Sequence, residues 1–116
     1  MRLKAVLLAA LCAALVAAPA ALAGTPVLTG TVGPGFTITL KQNGKAVKSL
    51  KAGTYTIKVS DLSNIHDFHL TGPGVNKSTT VGGKGTQTWT VTLKKGTYKY
   101  VCDPHKSFMK GSFTVS

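Results

Sequence analysis

The chain has 116 residues, a length that allows a single domain with a modest hydrophobic core. Fourteen Lys and Arg against three acidic residues give a formal net charge of +11. The lysines are scattered singly and aromatic residues are not interleaved with them, which argues against nucleic-acid binding. The charge is explained by solubility and protection of strand edges, or by attraction to an acidic protein or an anionic cell surface.

The N-terminal segment has the pattern of a secretory signal peptide. Two basic residues accompany an apolar run that ends at Pro19, and Ala21-Leu22-Ala23 has small residues where signal peptidase cuts. The run is short for a bilayer span, so a membrane anchor is the weaker interpretation. We therefore predict a signal peptide at 1–23 and one domain at 24–116. The protein would be secreted to the periplasm or cell surface, with no stable membrane insertion after cleavage.

Cleavage of this segment would change the cysteine count. Cys12 would leave with the signal, and Cys102 would be the single cysteine of the mature chain. A lipid anchor on Cys12 is disfavoured because Leu11 is too bulky for the usual lipoprotein site. A lone cysteine in an oxidising compartment cannot form an internal disulfide, so it pairs with another molecule, lies buried and inert, or binds a metal.

The remaining chain alternates apolar and polar residues in short runs, and none has a sustained helical period. Asn43-Gly44 predicts a tight turn, Lys94-Lys95-Gly96 a hairpin turn, and 72–85 a loop with a short edge strand at 78–81. Seven or eight strands at this spacing predict a two-sheet Greek-key β-sandwich. The runs lie at 27–32, 36–41, 46–50, 54–59, 65–70, 88–93, 98–102 and 111–115. The side chains predicted to point inward are Phe36, Ile38, Leu40, Tyr55, Ile57, Val59, Trp89, Val91, Leu93, Tyr98, Tyr100, Cys102, Phe113 and Val115.

The run from Ile65 to Leu70 contains two histidines on opposite faces. His66 shares a face with Phe68 and Leu70 and is predicted to point into the domain, whereas Asp67 and His69 point away. A buried histidine needs partners for its ring nitrogens, and a metal with one hydrogen bond would supply them.

A second group of candidate ligands lies near the C-terminus. The stretch Tyr100-Val-Cys102-Asp-Pro-His105-Lys-Ser-Phe-Met109 places a thiol, an imidazole and a thioether in one short loop. Cysteine sulfur and histidine nitrogen together suit copper, and a weak axial thioether completes an electron-transfer site. Each residue alone has an ordinary explanation in packing or surface exposure, which is our interpretation of His69. Together with an inward His66 they predict a metal site.

The segment Gly96-Thr-Tyr98-Lys-Tyr100-Val-Cys102-Asp-Pro104-His105, followed by Met109-Lys-Gly111-Ser-Phe-Thr-Val115, resembles the C-terminal copper-binding segment of plastocyanin-like cupredoxins. His66-Asp67-Phe68-His69-Leu70 resembles their first ligand strand. The resemblance implies a cupredoxin-like Greek-key sandwich with one type 1 copper per chain. The ligands that it implies are His66, Cys102, His105 and Met109.

The same resemblance draws attention to two carboxylates. It places Asp67 and Asp103 where the family often has Asn and a small hydroxyl residue that link the two ligand segments. Two carboxylates there would repel each other unless they share a proton or engage a lysine such as Lys106.

These observations predict a monomeric single-electron carrier rather than an enzyme, because protein ligands fill the good positions on the metal. The electron would pass through the edge of His105, inside an apolar collar of Gly33-Pro34-Gly35, Pro73 and Phe108. The expected partners are redox proteins, acidic ones included, and no nucleic acid. Two alternatives are copper scavenging or delivery, with His69 as an auxiliary ligand, and a structural cupredoxin-like domain without a redox role.

Overall fold

A computed structural model describes residues 24–116 and shows two β-sheets. One short 3-10 helix, Asp103–His105, interrupts the strands of this part of the chain. The ten strands are β1 Val27–Val32, β2 Ile38–Gln42, β3 Lys45–Ala46, β4 Ser49–Leu50, β5 Gly53–Asp61, β6 His69–Gly72, β7 Val75–Ser78, β8 Gly85–Leu93, β9 Gly96–Val101 and β10 Lys110–Val115. The predicted signal peptide and Cys12 lie outside the described residues.

Each sheet has five strands. The first has the order β3-β2-β1-β5-β8 and the second β4-β10-β9-β6-β7. The pairs β1–β5 and β4–β10 are parallel, and the other pairs are antiparallel. The predicted two-sheet β-sandwich is confirmed. Residues 24–116 contain no helix long and apolar enough to span a membrane.

The strand count is higher than predicted because the run at 46–50 divides between the sheets. β3 pairs with β2 in the first sheet, and β4 pairs with β10 in the second. Val47, buried between them, donates its amide to the Leu40 carbonyl, while the Lys48 carbonyl accepts from Thr114. The chain therefore changes sheet at one buried residue.

Two further predicted elements differ in the structure. Lys94-Lys95-Gly96 is not a hairpin turn, because β8 pairs with β5 and β9 pairs with β6 and β10 in the other sheet. The edge strand is Val75–Ser78 rather than 78–81, since the turn at Pro73-Gly74 reverses the chain directly after β6. Gly74 has φ +70° there, a conformation that glycine adopts without steric cost.

The predicted inward residues form the core, with one exception. Thirteen of them are buried or, for Ile38, partly buried and packed on the core. Phe36 is 59% exposed. β2 begins only at Ile38, and the Gly33 amide donates to the Thr37 carbonyl, so Phe36 lies in a turn where strand alternation does not apply.

The sandwich has two ends with different chemistry. At the ligand end β5 finishes at Asp61, β9 finishes at Val101 and β10 begins at Lys110. At the opposite, lysine end β5 begins at Gly53, paired with Leu93 at the close of β8. The nine residues of β5 separate the two ends by about 30 Å.

Candidate metal centre

Three of the predicted ligands meet at the ligand end. His66 comes from the irregular connection between β5 and β6, Cys102 directly follows β9, and His105 ends the 3-10 helix. The loop is closed by its own backbone, because the His105 amide donates to the Cys102 carbonyl at 3.0 Å and the Met109 amide donates to the His105 carbonyl at 2.8 Å. The Cys102 amide donates to the Met109 carbonyl at 3.0 Å, which joins the two ends of the loop.

The ligand atoms form a nearly regular triangle. The Nδ1 atoms of His66 and His105 lie 3.1 Å apart, and each lies 3.6 Å from the Cys102 sulfur. A triangle with these sides has a circumradius of about 2 Å, so its centre lies at metal–nitrogen bonding distance from every corner. One thiol and two imidazoles are the donors that copper prefers in a trigonal plane. The residues present therefore fit a copper ion.

Burial shapes the electrostatics of this triangle. His66 and Cys102 are fully buried, whereas His105 is half-buried. Burial raises the pKa of the Cys102 thiol, so metal binding has to displace a proton from the sulfur. The predicted hydrogen bond on the other ring nitrogen of His66 is absent among the described residues, where its Nε2 is buried without a partner.

Met109 lies at the far end of the same loop. Its side chain is 1% exposed and belongs to the hydrophobic core, and its backbone bonds to both Cys102 and His105. The loop thus holds Met109 beside the other candidates. Its role as an axial ligand stays a prediction.

Asp67 is buried, contrary to the prediction that it points away from the domain. The strand begins only at His69, so the two-residue alternation does not extend back to Asp67. Its carboxylate accepts the amide of Asp103 at 2.6 Å and links the two ligand segments. Burial, followed by the hydrogen bond to the Asp103 carboxyl, raises the pKa of Asp67 to about 6.

The pKa of Asp103 is shifted in the opposite direction. The hydrogen bond from the Asp67 side chain is the main cause that lowers the pKa of Asp103, and His69 and Lys106 lower it further. As the pH falls, Asp67 therefore takes up a proton before Asp103 does, and Lys106 helps to keep Asp103 ionised. Both effects reduce the repulsion between the two carboxylates.

His69 points away from the ligand triangle, as the alternation predicts. Its Nδ1 lies 2.9 Å from the Asp103 carboxylate and its Nε2 2.6 Å from Asn76 Oδ1. Burial alone would lower the pKa of His69, but the bonds to Asn76 and Asp103 outweigh it and raise the pKa. With both ring nitrogens engaged, His69 is poorly placed to be an auxiliary copper ligand.

Sequence reasoning missed one aromatic residue at the site. The Phe36 ring stands edge-on to His66 and His105, with centroids 5.2 and 5.1 Å away, and Phe108 lies 5.7 Å from His105. The Gly33-Pro34-Gly35 turn before Phe36 was the available signal, because it takes Phe36 out of strand alternation.

Pro73 does not belong to the collar. A Cβ on Gly96 would lie 2.7 Å from its ring, and its carbonyl accepts from the Tyr98 hydroxyl. Both contacts are at the lysine end, where β9 begins. The prediction that Pro73 surrounds His105 is therefore wrong.

The link between Asp67 and Asp103 predicts different effects for two substitutions of similar size. Asp67→Asn keeps an oxygen that accepts the Asp103 amide, and its new amide group can donate to the Asp103 carboxylate. We therefore expect a loss of less than about 1 kcal/mol in the free energy of unfolding. Asp67→Leu leaves that amide without an acceptor and should cost about 1–3 kcal/mol. Urea unfolding of the metal-free variants measures both. Equal losses would contradict a linking role for this carboxylate.

Comparison with known proteins places these features in a family. The family model described as "Copper binding proteins, plastocyanin/azurin family" matches residues 31–116. No sequence among the curated proteins matches the chain.

Solved structures share the fold. A structure of the copper protein rusticyanin has a TM-score of 0.59 at 18% identity, covering 79% of this chain and 78% of that one. Rusticyanin from Thiobacillus ferrooxidans has a TM-score of 0.55 at 22% identity, with coverage of 79% and 77%. Auracyanin A, a "blue" copper protein from Chloroflexus aurantiacus, has a TM-score of 0.50 at 19% identity, with coverage of 80% and 100%. With the family match over most of its length, this chain belongs to the plastocyanin/azurin family of copper-binding proteins.

Proposed function

We propose that this protein is a single-electron carrier that works outside the cytoplasm and catalyses no reaction of its own. The observation that carries the proposal is the closed triangle of one sulfur and two nitrogens, whose centre lies about 2 Å from each. His66, Cys102 and His105 would hold copper, together with Met109. Bound copper supplies a one-electron change between Cu(I) and Cu(II).

The protein frame suits fast electron exchange. Cys102 is held at the end of a paired strand, and three backbone hydrogen bonds close the loop that carries His105 and Met109. The Asp67–Asp103 bond ties this loop to the segment of His66. A frame tied at these points resists movement of the ligands between the two oxidation states, and a small rearrangement makes electron transfer fast.

His105 offers the route for the electron. Of the three triangle residues it alone is not fully buried. Phe36 and Phe108 flank it, and their side chains are 59% and 58% exposed. The two rings lie 6.0 Å apart and form an apolar collar beside His105. Such a collar is suited to brief docking of a redox partner, because apolar contact requires no specific pairing of charges.

Copper scavenging or delivery is the competing function. It would require a site that releases metal readily and an accessible extra ligand. His66 and Cys102 are both 0% exposed, and His69 is engaged by Asp103 and Asn76. The site geometry therefore favours a carrier.

Copper titration tests the proposal. Copper(II) added to the protein should produce an intense blue or green thiolate absorption that ascorbate bleaches and an oxidant restores, through repeated cycles. The His69→Ala variant should keep this absorption, since His69 lies outside the triangle. A chelator that removes copper faster than the redox cycle would indicate delivery. No colour and no rise in unfolding temperature with copper would leave only a structural role.

A further inference from the structure

Four exposed lysines lie at the lysine end of the sandwich. Lys51 lies in the β4–β5 connection, and Lys94 and Lys95 form the β8–β9 connection. Lys48 directly precedes β4, and its carbonyl accepts the amide of Thr114 one residue before the end of β10. The Lys94 ammonium lies 3.9 Å from the point where a Cβ on Gly74 would stand, so the β6–β7 turn joins the same surface. We call Lys48, Lys51, Lys94 and Lys95 the lysine cluster.

The negative charges lie elsewhere. The three acidic side chains of the sequence, Asp61, Asp67 and Asp103, are all at the ligand end. Ser116 follows β10 at the lysine end, and its carbonyl accepts the amide of Ala52. The protein therefore has a strongly positive end and an end in which acidic and basic side chains offset one another.

Two buried tyrosines fix the backbone at two of these lysines. The Tyr55 hydroxyl donates to the Lys51 carbonyl at 2.7 Å, and the Tyr98 hydroxyl accepts the Lys94 amide at 2.9 Å. Tyr98 is 0% and Tyr55 7% exposed, so both connections are anchored to the core. A cluster on fixed backbone presents its charges together at little further entropic cost.

The charge of this end indicates what it faces. No acidic side chain lies among the four lysines, so they suit a surface that is dense in negative charge. Clusters of four to eight basic residues are attracted to anionic lipid headgroups, each adding roughly 1 kcal/mol near the surface.

We propose that the lysine cluster docks on an anionic lipid surface and that the ligand end then faces away from it. A redox partner is not a suitable occupant, because the lysine end lies about 30 Å from the ligand end, where His105 is located. An anionic lipid surface is attracted to the lysines and needs no access to the metal site. Docking in this orientation leaves the collar around His105 open to partners.

Vesicle binding with two charge-matched variants tests the proposal. The chain from Gly24 onward is suitable, since both sheets and the core lie within it. One triple variant replaces Lys51, Lys94 and Lys95 with Gln. The control triple replaces three exposed lysines on the sheet faces, Lys41, Lys58 and Lys99, with Gln. Both variants lose the same net charge, and unchanged unfolding temperatures confirm that each is folded.

We expect the parent to bind vesicles of phosphatidylcholine with phosphatidylglycerol, and not vesicles of phosphatidylcholine alone. The cluster triple should lose about a hundredfold in affinity, and the control triple less than about fivefold. High salt should release the parent, because screening shortens the reach of the charges. Equal losses in the two triples would show that net charge alone attracts the protein and would overturn the proposal, as would an absence of binding to the anionic vesicles.

Lysine acetylation on the vesicles tests the orientation. Lys51, Lys94 and Lys95 should be protected, while Lys106 in the ligand loop reacts as it does in free protein. Protection of Lys106 instead would mean that the ligand end docks, contrary to the proposal. Both experiments work on metal-free protein, so a failure here is separate from a failure of the electron-carrier function.

Discussion

The Cys102→Ser variant should lose the intense thiolate absorption on adding copper(II) and bind the metal far more weakly than the parent. Serine places a hard hydroxyl, protonated at neutral pH, at the corner that lies 3.6 Å from both Nδ1 atoms. Copper bound by two histidines and a thiolate prefers the soft sulfur. Loss of an outer partner of a metal ligand already costs about 10–100-fold in affinity, so loss of the ligand itself should exceed about a hundredfold.

Two measurements make this result specific. Absorption spectroscopy follows the copper–sulfur band, and competition with a chelator gives the affinity. The metal-free variant should still unfold cooperatively, because Cys102 and serine differ little in size and the backbone bonds of the loop remain. His69→Ala is the control that keeps the band. An intense band in the serine variant would show that Cys102 is not the copper thiolate.

The largest loss of stability is expected from Phe68→Ala. Phe68 is 0% exposed, is stacked on Tyr100 at a centroid distance of 5.6 Å, and meets Trp89 edge-on at 6.2 Å. A Cβ on Gly30 would lie 2.9 Å from its ring, so the backbone of β1 also packs closely against it. Truncation removes these contacts and leaves a cavity between the sheets. The free energy of unfolding should fall by about 3–5 kcal/mol.

Phe36→Ala provides the matched control for this substitution. It removes the same atoms from a ring that is 59% exposed, so no cavity forms and the loss should stay below about 1 kcal/mol. Thermal unfolding of the metal-free variants should show a fall on the order of 20 °C for Phe68→Ala. A similar small effect in both variants would mean that Phe68 does not join the two sheets.

Local alternation was a reliable guide wherever the backbone is a paired strand. In β5 and β8, for example, Ile57 and Trp89 point inward as predicted and are paired partners in the sheet. The same rule failed for Phe36 and Asp67, which precede the first paired residue of their strands. Side chains alternate between two faces because a hydrogen-bonded strand is pleated. The alternation is therefore not expected in the turn or connection before the strand.

The residue pattern of a single strand does not show which of the two sheets the strand joins. Lys94-Lys95-Gly96 looks like a hairpin turn, yet the strands on either side belong to different sheets. Local residues specify that the chain turns, but the partner of the next strand depends on residues such as Leu70, which pairs with Tyr100 from a distant part of the chain.

The sequence by itself determined the fold class, the inward faces of the paired strands and the types of donor near the metal, because these depend on composition and on short-range period. Only the tertiary structure decided that His66, Cys102 and His105 form one triangle, that Asp67 turns inward to bind Asp103, and that Phe36 rather than Pro73 flanks His105. These features join residues far apart in the chain, so their distances follow from the packing of the two sheets and from no local pattern.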